Sequence, residues 1–148
     1  MKGAFVRTMA DMLSRREQRF FNVAKAVART SNYHGTHVGC CVVNKGVVVS
    51  VGCNSEKTHP MQMIYNKYRD FNPKTAMNKL HAETHALSPL IGKDIDWSKT
   101  SVYVYRELKN GKPAISKPCP ACSQLIKDLG ISQVFYIDED NNFVKERV

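Results

Sequence analysis

The chain has 148 residues, of which 43% are hydrophobic and 24% are charged, a balance typical of a globular domain and not of a disordered chain. No apolar run is long enough to cross a membrane, and Arg7 interrupts the N-terminus before a signal-peptide core forms. We therefore predict a single domain over residues 1–148, no membrane contact and a cytoplasmic location. The net charge of +9 favours phosphate-bearing partners, although charge alone does not separate nucleotides from nucleic acids.

The first predicted element is a helix that follows residues 1–13, a stretch without a clear pattern. Ser14 and Glu17 have the spacing of a capping box, in which each side chain binds a free backbone amide of the first turn. We therefore predict a helix over about 14–30. Its apolar stripe is predicted at Phe20, Val23, Ala24 and Val27. The other face is basic, which is typical of a solvated helix surface and also of a helix that binds nucleic acid.

Strands are predicted from runs of β-branched and aromatic residues. The runs 38–43 and 47–52 are joined by residues 44–46, which end in glycine, and this pattern predicts an antiparallel hairpin. Both runs are apolar on both faces, so we expect helices to cover both sides of these strands. The run 101–106 predicts a central third strand. The domain core is expected over about 36–138.

The stretch 55–78 has little strand pattern and carries several aromatic and basic residues. One interpretation is that Tyr65, Lys67, Tyr68 and Arg69 stack on bases and hold phosphates, as in proteins that bind single strands. The other is an amphipathic turn that packs Ile64, Tyr68 and Phe71 inward. Both interpretations stay open at the level of sequence.

The most informative residues are His81 and Glu83, together with Cys119 and Cys122. One imidazole and two thiols make a three-ligand zinc site, which leaves a fourth position open for water, and a carboxylate outside the ligand set can carry protons. We expect the His81 helix to begin near Asn78 and to end near Ser88. The helix starts of both motifs are electropositive, which favours the thiolate forms that zinc requires.

The second motif opens a helix that leads into a further strand. Pro120 suits a first helical position and Gly130 a position just past the end, so a helix is predicted between them. Its inner face is predicted at Ala121, Leu125, Ile126 and Leu129. The apolar run 133–137 follows at once, which predicts a strand parallel to the third strand. At most one short strand is expected after residue 138.

Two other metal arrangements are weighed against this site. A structural zinc knuckle would add ligands from His34, His37, Cys40 or Cys41, but it leaves Glu83 without a role. His85 lies one turn after His81, yet the zincin pattern requires Glu directly after the first His, where this chain has Ala82. We expect His85 to pack or hydrogen-bond behind the site. The cysteines outside the zinc motif, including Cys53, are expected to be small apolar fillers in a reducing compartment.

The pair of motifs His-X-Glu and Pro-Cys-X-X-Cys, here at residues 81–83 and 118–122, resembles the signature of the cytidine deaminase superfamily. The resemblance spans about 38–137. It implies an α/β fold, a three-layer αβα sandwich with a mixed sheet of about five strands, and a homo-oligomer. It also implies that His81, Cys119 and Cys122 hold Zn²⁺ and that Glu83 is the proton shuttle.

The resemblance further implies two groups that contact substrate. The backbone amide of Ala82 would help to hold the pyrimidine, and Asn54 would contact the sugar or base. A strand-ending Asn that binds its own backbone is an equally good interpretation of Asn54. Tyr65 and Arg69 complete the set of candidate substrate-binding residues.

The predicted function is zinc-dependent hydrolytic deamination of cytosine to uracil on a nucleotide such as dCMP or CMP. The sequence departs from common deoxycytidylate deaminase patterns at His85 and at Ser55, and Ala121 stands where tRNA-adenosine enzymes usually have Met. The alternatives are deamination of cytosine in single-stranded DNA or RNA, and a non-catalytic zinc-stabilised nucleic-acid-binding module. The expected partners are accordingly a cytosine nucleotide and, under the second interpretation, single-stranded nucleic acid.

Overall fold

The protein is built on a mixed β-sheet, seen in a computed structural model that describes residues 5–8, 13–69 and 79–148. Its strands are β1 (Phe5–Thr8), β2 (His37–Asn44), β3 (Val47–Cys53), β4 (Thr100–Glu107), β5 (Gln133–Ile137) and β6 (Phe143–Arg147). Its helices are α1 (Arg15–Ala28), α2 (Pro60–Tyr65), α3 (Ala82–Leu87) and α4 (Pro120–Leu129). Short 3₁₀ turns lie at Asn66–Tyr68, Ser88–Leu90 and Trp97–Lys99.

The described strands form one six-stranded sheet in the order β1-β6-β5-β4-β2-β3. β4 pairs antiparallel with β2 and parallel with β5, so the predicted central third strand and parallel crossover are both present. The hairpin between β2 and β3 is also present, and its turn residues Lys45 and Gly46 have φ of 51° and 80°, as a tight primed turn requires. The edge strand β1 lies within residues 1–13, the stretch without a clear sequence pattern.

Helices cover both faces of the sheet, which confirms the predicted αβα layering. Alternate residues of a strand point to opposite faces, so neighbours such as Cys40 and Cys41 belong to two separate apolar clusters. One cluster packs α3 and α4 onto the sheet, and the other packs α1. The Phe21 ring of α1 contacts the Tyr103 ring edge-on, with 5.4 Å between the ring centroids.

α1 begins as predicted, but its buried stripe is rotated. Ser14 Oγ accepts the Glu17 amide and Glu17 Oε1 accepts the Ser14 amide, both at 3.0 Å, which completes the capping box. The buried side chains are Phe20, Phe21, Ala24 and Ala28, whereas Val23 and Val27 are only half-buried. At Gly39 of β2 the absent side chain lets the backbone at Ala24 and Ala28 approach the sheet closely.

The expectation that helices cover both faces of β3 was wrong. β3 lies at the sheet edge, and Val47, Val48, Val49 and Val51 are between 36% and 61% exposed. The face of β3 that carries Ser50 packs against α3, where Ser50 Oγ donates to the carbonyl of Ala86 at 2.6 Å. The apolar pattern of the strand does not reveal its position at the edge.

The stretch after residue 55 forms α2 and a 3₁₀ turn. The predicted inward packing of Ile64 and Tyr68 was wrong, since these side chains are 60% and 42% exposed, and Phe71 lies outside the described residues. The buried side chains here are Gln62 and Asn66.

Within the described residues, no helix combines the length and apolar character needed to span a membrane. The cytoplasmic location stays a prediction.

Candidate active site

The two motif helices begin next to each other on one face of the sheet. His81 is the N-cap of α3 and Cys119 is the N-cap of α4, and both have extended backbone dihedrals. Pro120 occupies the first helical position and Gly130 the left-handed position past the end of α4, as predicted. Cys122 therefore lies in the first turn, on the same side as Cys119. Two helix starts thus direct an imidazole and two thiols at one point.

The geometry of these three side chains fits a tetrahedral zinc ion. His81 Nδ1 lies 3.6 Å from Cys119 Sγ and 3.4 Å from Cys122 Sγ. Zinc bonds of about 2.3 Å to sulfur and about 2.0–2.1 Å to nitrogen, at tetrahedral angles, separate the two atoms by about 3.6 Å. His81, Cys119 and Cys122 form a group whose ligand atoms all lie within 4.8 Å of one another. These residues can hold a metal ion with little rearrangement.

The two thiols differ in their ionisation. The Cys122 thiol donates a hydrogen bond to Cys119, which lowers the pKa of Cys119 to about 3, and His81 adds to this effect. The same hydrogen bond, together with burial, raises the pKa of Cys122. In the metal-free site Cys119 is therefore the thiolate and Cys122 the thiol, and a bound zinc ion would displace the proton of Cys122.

Glu83 lies in the first turn of α3, and its side chain is nearly fully buried. Burial raises the pKa of Glu83, while the neighbouring His81 opposes that shift. The carboxylate is outside the metal-ligand group but lines the same cavity as His81 and Cys119. A buried carboxylate with a raised pKa, placed beside a metal site, is suited to accept and to donate protons.

The site opens into a cavity of about 300 Å³. Among the described residues of its lining, four carry basic side chains, namely Arg69, Lys79, Arg106 and Lys117, and one, Glu83, carries a carboxylate. A small, polar cavity of this size accepts one nucleotide-sized ligand, and its charge favours an anionic one.

Asn54 and Ala82 both line this cavity. Asn54 Oδ1 accepts the backbone amide of Val38 at 2.9 Å and the hydroxyl of Ser31 at 2.8 Å, and Nδ2 donates to the carbonyl of Thr36 at 2.9 Å. These bonds hold the loop before β2 against the end of β3. The amide has a second N–H, which is the group it can offer to a ligand. Ala82 is fully buried at the first position of α3.

The structure separates the two other candidate binding residues. Arg69 lines the cavity, and its Nη1 lies 3.2 Å from His81 Nε2. Tyr65 is not among the described lining residues, and its hydroxyl donates to Asp128 Oδ2 on α4 at 2.7 Å. Burial and that bond raise the pKa of Tyr65 to about 12. Tyr65 therefore ties α2 to α4, and its predicted contact with substrate stays a prediction.

Neither alternative metal arrangement is assembled. His34 is paired with Glu56, and His37 Nε2 contacts the carbonyl of Tyr33 at 2.9 Å. In the part of the chain that the structure describes, no metal-ligand group includes these residues or the β2 cysteines. His85 Nδ1 accepts the backbone amide of Cys53 at 3.1 Å, which confirms its predicted hydrogen bond behind the site.

Three residues of the site carried no recognisable signal in the sequence. Arg106 was predicted only as part of a strand, although it lines the cavity. Ser116 Oγ donates to the Val104 carbonyl at 2.7 Å and accepts the Ile137 amide at 2.8 Å, which fixes the segment before Cys119. Gln62 accepts the backbone amide of His81 at 3.1 Å. Each depends on contacts between segments distant in sequence, which no local pattern encodes.

This combination of an αβα fold, an open three-ligand metal site and an adjacent buried carboxylate defines a zinc-type hydrolytic deaminase. The chain belongs to the family described as cytidine and deoxycytidylate deaminase zinc-binding region, whose model matches residues 14–138. An uncharacterized deaminase in the luxG 3' region of Aliivibrio fischeri is 26% identical over 134 residues, which cover 90% of this chain and 80% of that protein.

Two solved structures show the same fold. The dCMP deaminase of the cyanophage S-TIM5 has a TM-score of 0.61 at 23% identity, with 86% of each chain covered. The cytidine deaminase of Burkholderia pseudomallei has a TM-score of 0.60 at 19% identity, with 91% of this chain and 93% of that chain covered. The fold, the family and the zinc cofactor predicted from the sequence are confirmed, and the roles of the individual site residues stay predictions.

Proposed function

We propose that this protein hydrolyses cytosine to uracil and ammonia on a mononucleotide such as dCMP or CMP. The observation that carries this proposal is that basic side chains line the same cavity as Glu83, His81 and Cys119; in the described part of the chain they are Arg69, Lys79, Arg106 and Lys117. A neutral nucleoside gains little from these positive charges, whereas the phosphate of a mononucleotide can form charge-assisted hydrogen bonds with them. One relative of the same fold, the S-TIM5 enzyme, has been crystallised with dCMP and dUMP, which supports the same substrate class.

The charges at the cavity are not equally available. Lys79 is partly neutralised by Glu56, with 3.5 Å between Nζ and Oε1. Arg106 donates to neutral oxygens of Thr36 and Ile115, both at 3.2 Å, and Lys117 Nζ lies over the Tyr136 ring. Arg106 and Lys117 therefore keep their charge for a phosphate, and an arginine can bind two phosphate oxygens at once.

Each part of the site has a task in this reaction. His81, Cys119 and Cys122 would hold the zinc ion, which supplies an acidic water in its open position. Glu83 would carry the first of the attacking water's two protons to the ring nitrogen and the second to the departing amine, which leaves as ammonia. The Ala82 amide and the second N–H of Asn54 orient the base and the sugar. Arg69, whose Nη1 lies 3.2 Å from His81 Nε2 in the cavity lining, would add positive charge for the phosphate.

The test is product formation by the zinc-loaded protein from dCMP, deoxycytidine and a single-stranded cytosine-containing oligonucleotide, with Glu83→Gln as the blank. We expect dUMP from dCMP at a kcat/KM well above that for deoxycytidine. Equal kcat/KM for the nucleotide and the nucleoside would contradict the role of these basic side chains in phosphate binding. Zinc content without any product would instead favour the non-catalytic zinc-stabilised module.

A second candidate function is deamination of cytosine in single-stranded DNA or RNA. The observation in its favour is the exposed Tyr68, whose ring lies 5.3 Å from Lys67 Nζ and next to Arg69 of the cavity. An exposed ring beside cations is how single-strand binders hold bases and phosphates. Under this function, Lys67→Gln combined with Tyr68→Ala lowers oligonucleotide turnover and leaves dCMP turnover unchanged.

We also infer that the protein forms a homo-oligomer. The exposed valines of β3 give the sheet a long apolar edge, a feature that monomeric proteins avoid. Sedimentation equilibrium of the wild-type protein and of Val51→Lys tests this inference. A monomeric wild-type protein at micromolar concentration would contradict it.

A further inference from the structure

A buried glutamine from outside the catalytic motifs contacts the metal ligand His81. Gln62 on α2 is fully buried, and its Oε1 accepts the backbone amide of His81 at 3.1 Å. Its Nε2 donates to Asn66 Oδ1 at 2.9 Å, which fixes the orientation of the amide. The glutamine therefore presents an oxygen, and not an amino group, to the peptide that precedes the imidazole.

This bond completes a helix cap that α3 cannot complete alone. In a capping box the N-cap side chain binds an amide of the first turn, and the third helical residue accepts the N-cap amide, as Ser14 and Glu17 do in α1. The N-cap of α3 is His81, whose imidazole makes no capping bond because it faces the two sulfurs. The third helical residue is Thr84 and not Glu or Gln. Gln62 supplies the missing acceptor from another helix.

The bond also fixes the direction of the imidazole. Leu80, just before His81, is held on both sides, since its amide donates to Lys57 at 2.8 Å and its carbonyl accepts from Ser55 at 3.1 Å. The His81 amide is the next donor along the backbone, and Gln62 holds it. Three successive backbone bonds thus set the peptide from which the His81 side chain extends toward Cys119.

The helix that carries Gln62 is itself tied to the cysteine helix. Tyr65, three residues after Gln62, donates to Asp128 on α4. α2 therefore contacts both metal-binding segments, His81 through Gln62 and the cysteine helix through Tyr65. A shift of α2 would change the distance between the imidazole and the thiols.

We propose that Gln62 is a positioning residue for the metal ligand His81, which it holds in the orientation that brings Nδ1 to Cys119 and Cys122. The proposal rests on these three residues holding zinc, and it concerns the ligand set rather than the substrate. Outer contacts of this kind commonly set metal affinity by about 10–100-fold.

The test is metal binding by Gln62→Met, which keeps the length of the side chain and removes the carbonyl oxygen. Zinc affinity is measured by competition with a chromophoric chelator, and the site is examined with Co²⁺ through its thiolate charge-transfer and ligand-field absorption. We expect affinity to fall about 10–100-fold and the ligand-field bands to broaden. Gln62→Glu retains the acceptor and is expected to restore both properties toward wild type.

Asn44→Ala is the matched control. Asn44 donates to the Asp96 carbonyl at 2.8 Å and to Thr100 Oγ1 at 2.9 Å, at the end of β2 far from the site. Its loss is expected to lower thermal stability and leave zinc affinity and the Co²⁺ spectrum unchanged. Wild-type affinity and spectrum in Gln62→Met would overturn the proposal, and so would an equal loss of affinity in Asn44→Ala.

Two further outcomes are distinguishable. If Gln62→Met does not fold, Gln62→Asn withdraws the acceptor by one methylene and carries the same expectation and the same contradicting result. A wild-type protein that binds neither zinc nor cobalt would overturn the ligand assignment itself, and with it both this proposal and the proposed function. Metal binding that depends on Gln62 in a protein without dCMP turnover would support this proposal and contradict the proposed function.

Discussion

Gly52 on β3 lies directly beneath Ala82 on α3, so close that a methyl group at Gly52 would come within 2.8 Å of the Ala82 carbonyl oxygen. It would also lie 2.6 Å from the Ala86 amide. We expect Gly52→Ala to lower the free energy of unfolding by about 1–3 kcal/mol, because the helix must move outward. That movement displaces His81 and Glu83 as well, so zinc affinity falls too. Urea denaturation and chelator competition measure the two effects.

Gly39 provides the control for this prediction, because it crowds a helix on the other face of the sheet. A methyl group at Gly39 would meet the Ala24 carbonyl of α1. Gly39→Ala should therefore lower stability without weakening zinc binding by the folded protein. Equal zinc affinity in Gly52→Ala and wild type would contradict the link between β3 and the metal site.

The charge of Lys117 is expected to matter for nucleotides only. Lys117 is exposed at the edge of the cavity, two residues before Cys119. Loss of one charge-assisted contact to a phosphate costs about 1.5 kcal/mol, so Lys117→Gln should raise the KM for dCMP about 10-fold. Its kcat/KM for deoxycytidine should stay at the wild-type value. Lys112→Gln, which removes an exposed lysine from the turn after β4, is the matched control. An equal effect on nucleotide and nucleoside would remove Lys117 from the phosphate site.

The metal-free protein should carry a thiolate at unusually low pH. The pKa of Cys119 is lowered to about 3, so this side chain is almost fully ionised from pH 5 to 8, whereas an ordinary thiol has a pKa of about 8.5. The rate of Cys119 alkylation by iodoacetamide should therefore be nearly flat from pH 5 to 8, because the reactive fraction does not change. In the urea-denatured chain the same peptide should react faster as the pH rises. Peptide mass spectrometry measures both rates, and a steep pH dependence in the folded protein would contradict the predicted thiolate.

The parts of the fold that the sequence predicts well depend on local interactions. Ser14 and Glu17 bind each other across one helical turn, and Pro120 and Gly130 act through their own backbone preferences. The turn at Gly46 requires a positive φ that glycine supplies. Each signal lies within a few residues of the structure it specifies. The zinc motif can be predicted for a related reason, because the types and spacing of its residues already identify the metal ligands and the proton shuttle.

The features that the sequence does not predict depend on tertiary contacts between segments that are distant in the chain. The run of valines in β3 predicts a strand covered on both faces. The strand order places β3 at the edge of the sheet instead, and the valine side chains are exposed. Ile64 and Tyr68 have the spacing of an inward stripe, but the residue buried in α2 is Gln62, a polar side chain whose partners come from elsewhere. Periodicity reports a preference for burial, and it does not identify a buried polar group that tertiary contacts satisfy.

The last prediction separates the metal ligands from the proton shuttle. Cys122→Ala removes one of three ligands and should lose zinc, because two remaining ligands cannot hold the ion against a chelator. Glu83→Gln keeps all three ligands and nearly the same shape, so zinc content should equal that of wild type. Its kcat should nevertheless fall by at least about 10²–10⁴-fold, the contribution of general acid–base catalysis, since the amide cannot accept the proton of the water. Zinc by atomic absorption and dCMP turnover are measured on the same preparations. Wild-type zinc content in Cys122→Ala would contradict the ligand assignment. Wild-type turnover in Glu83→Gln would contradict the role of Glu83 as proton shuttle. The two results are independent because the carboxylate lies outside the ligand group.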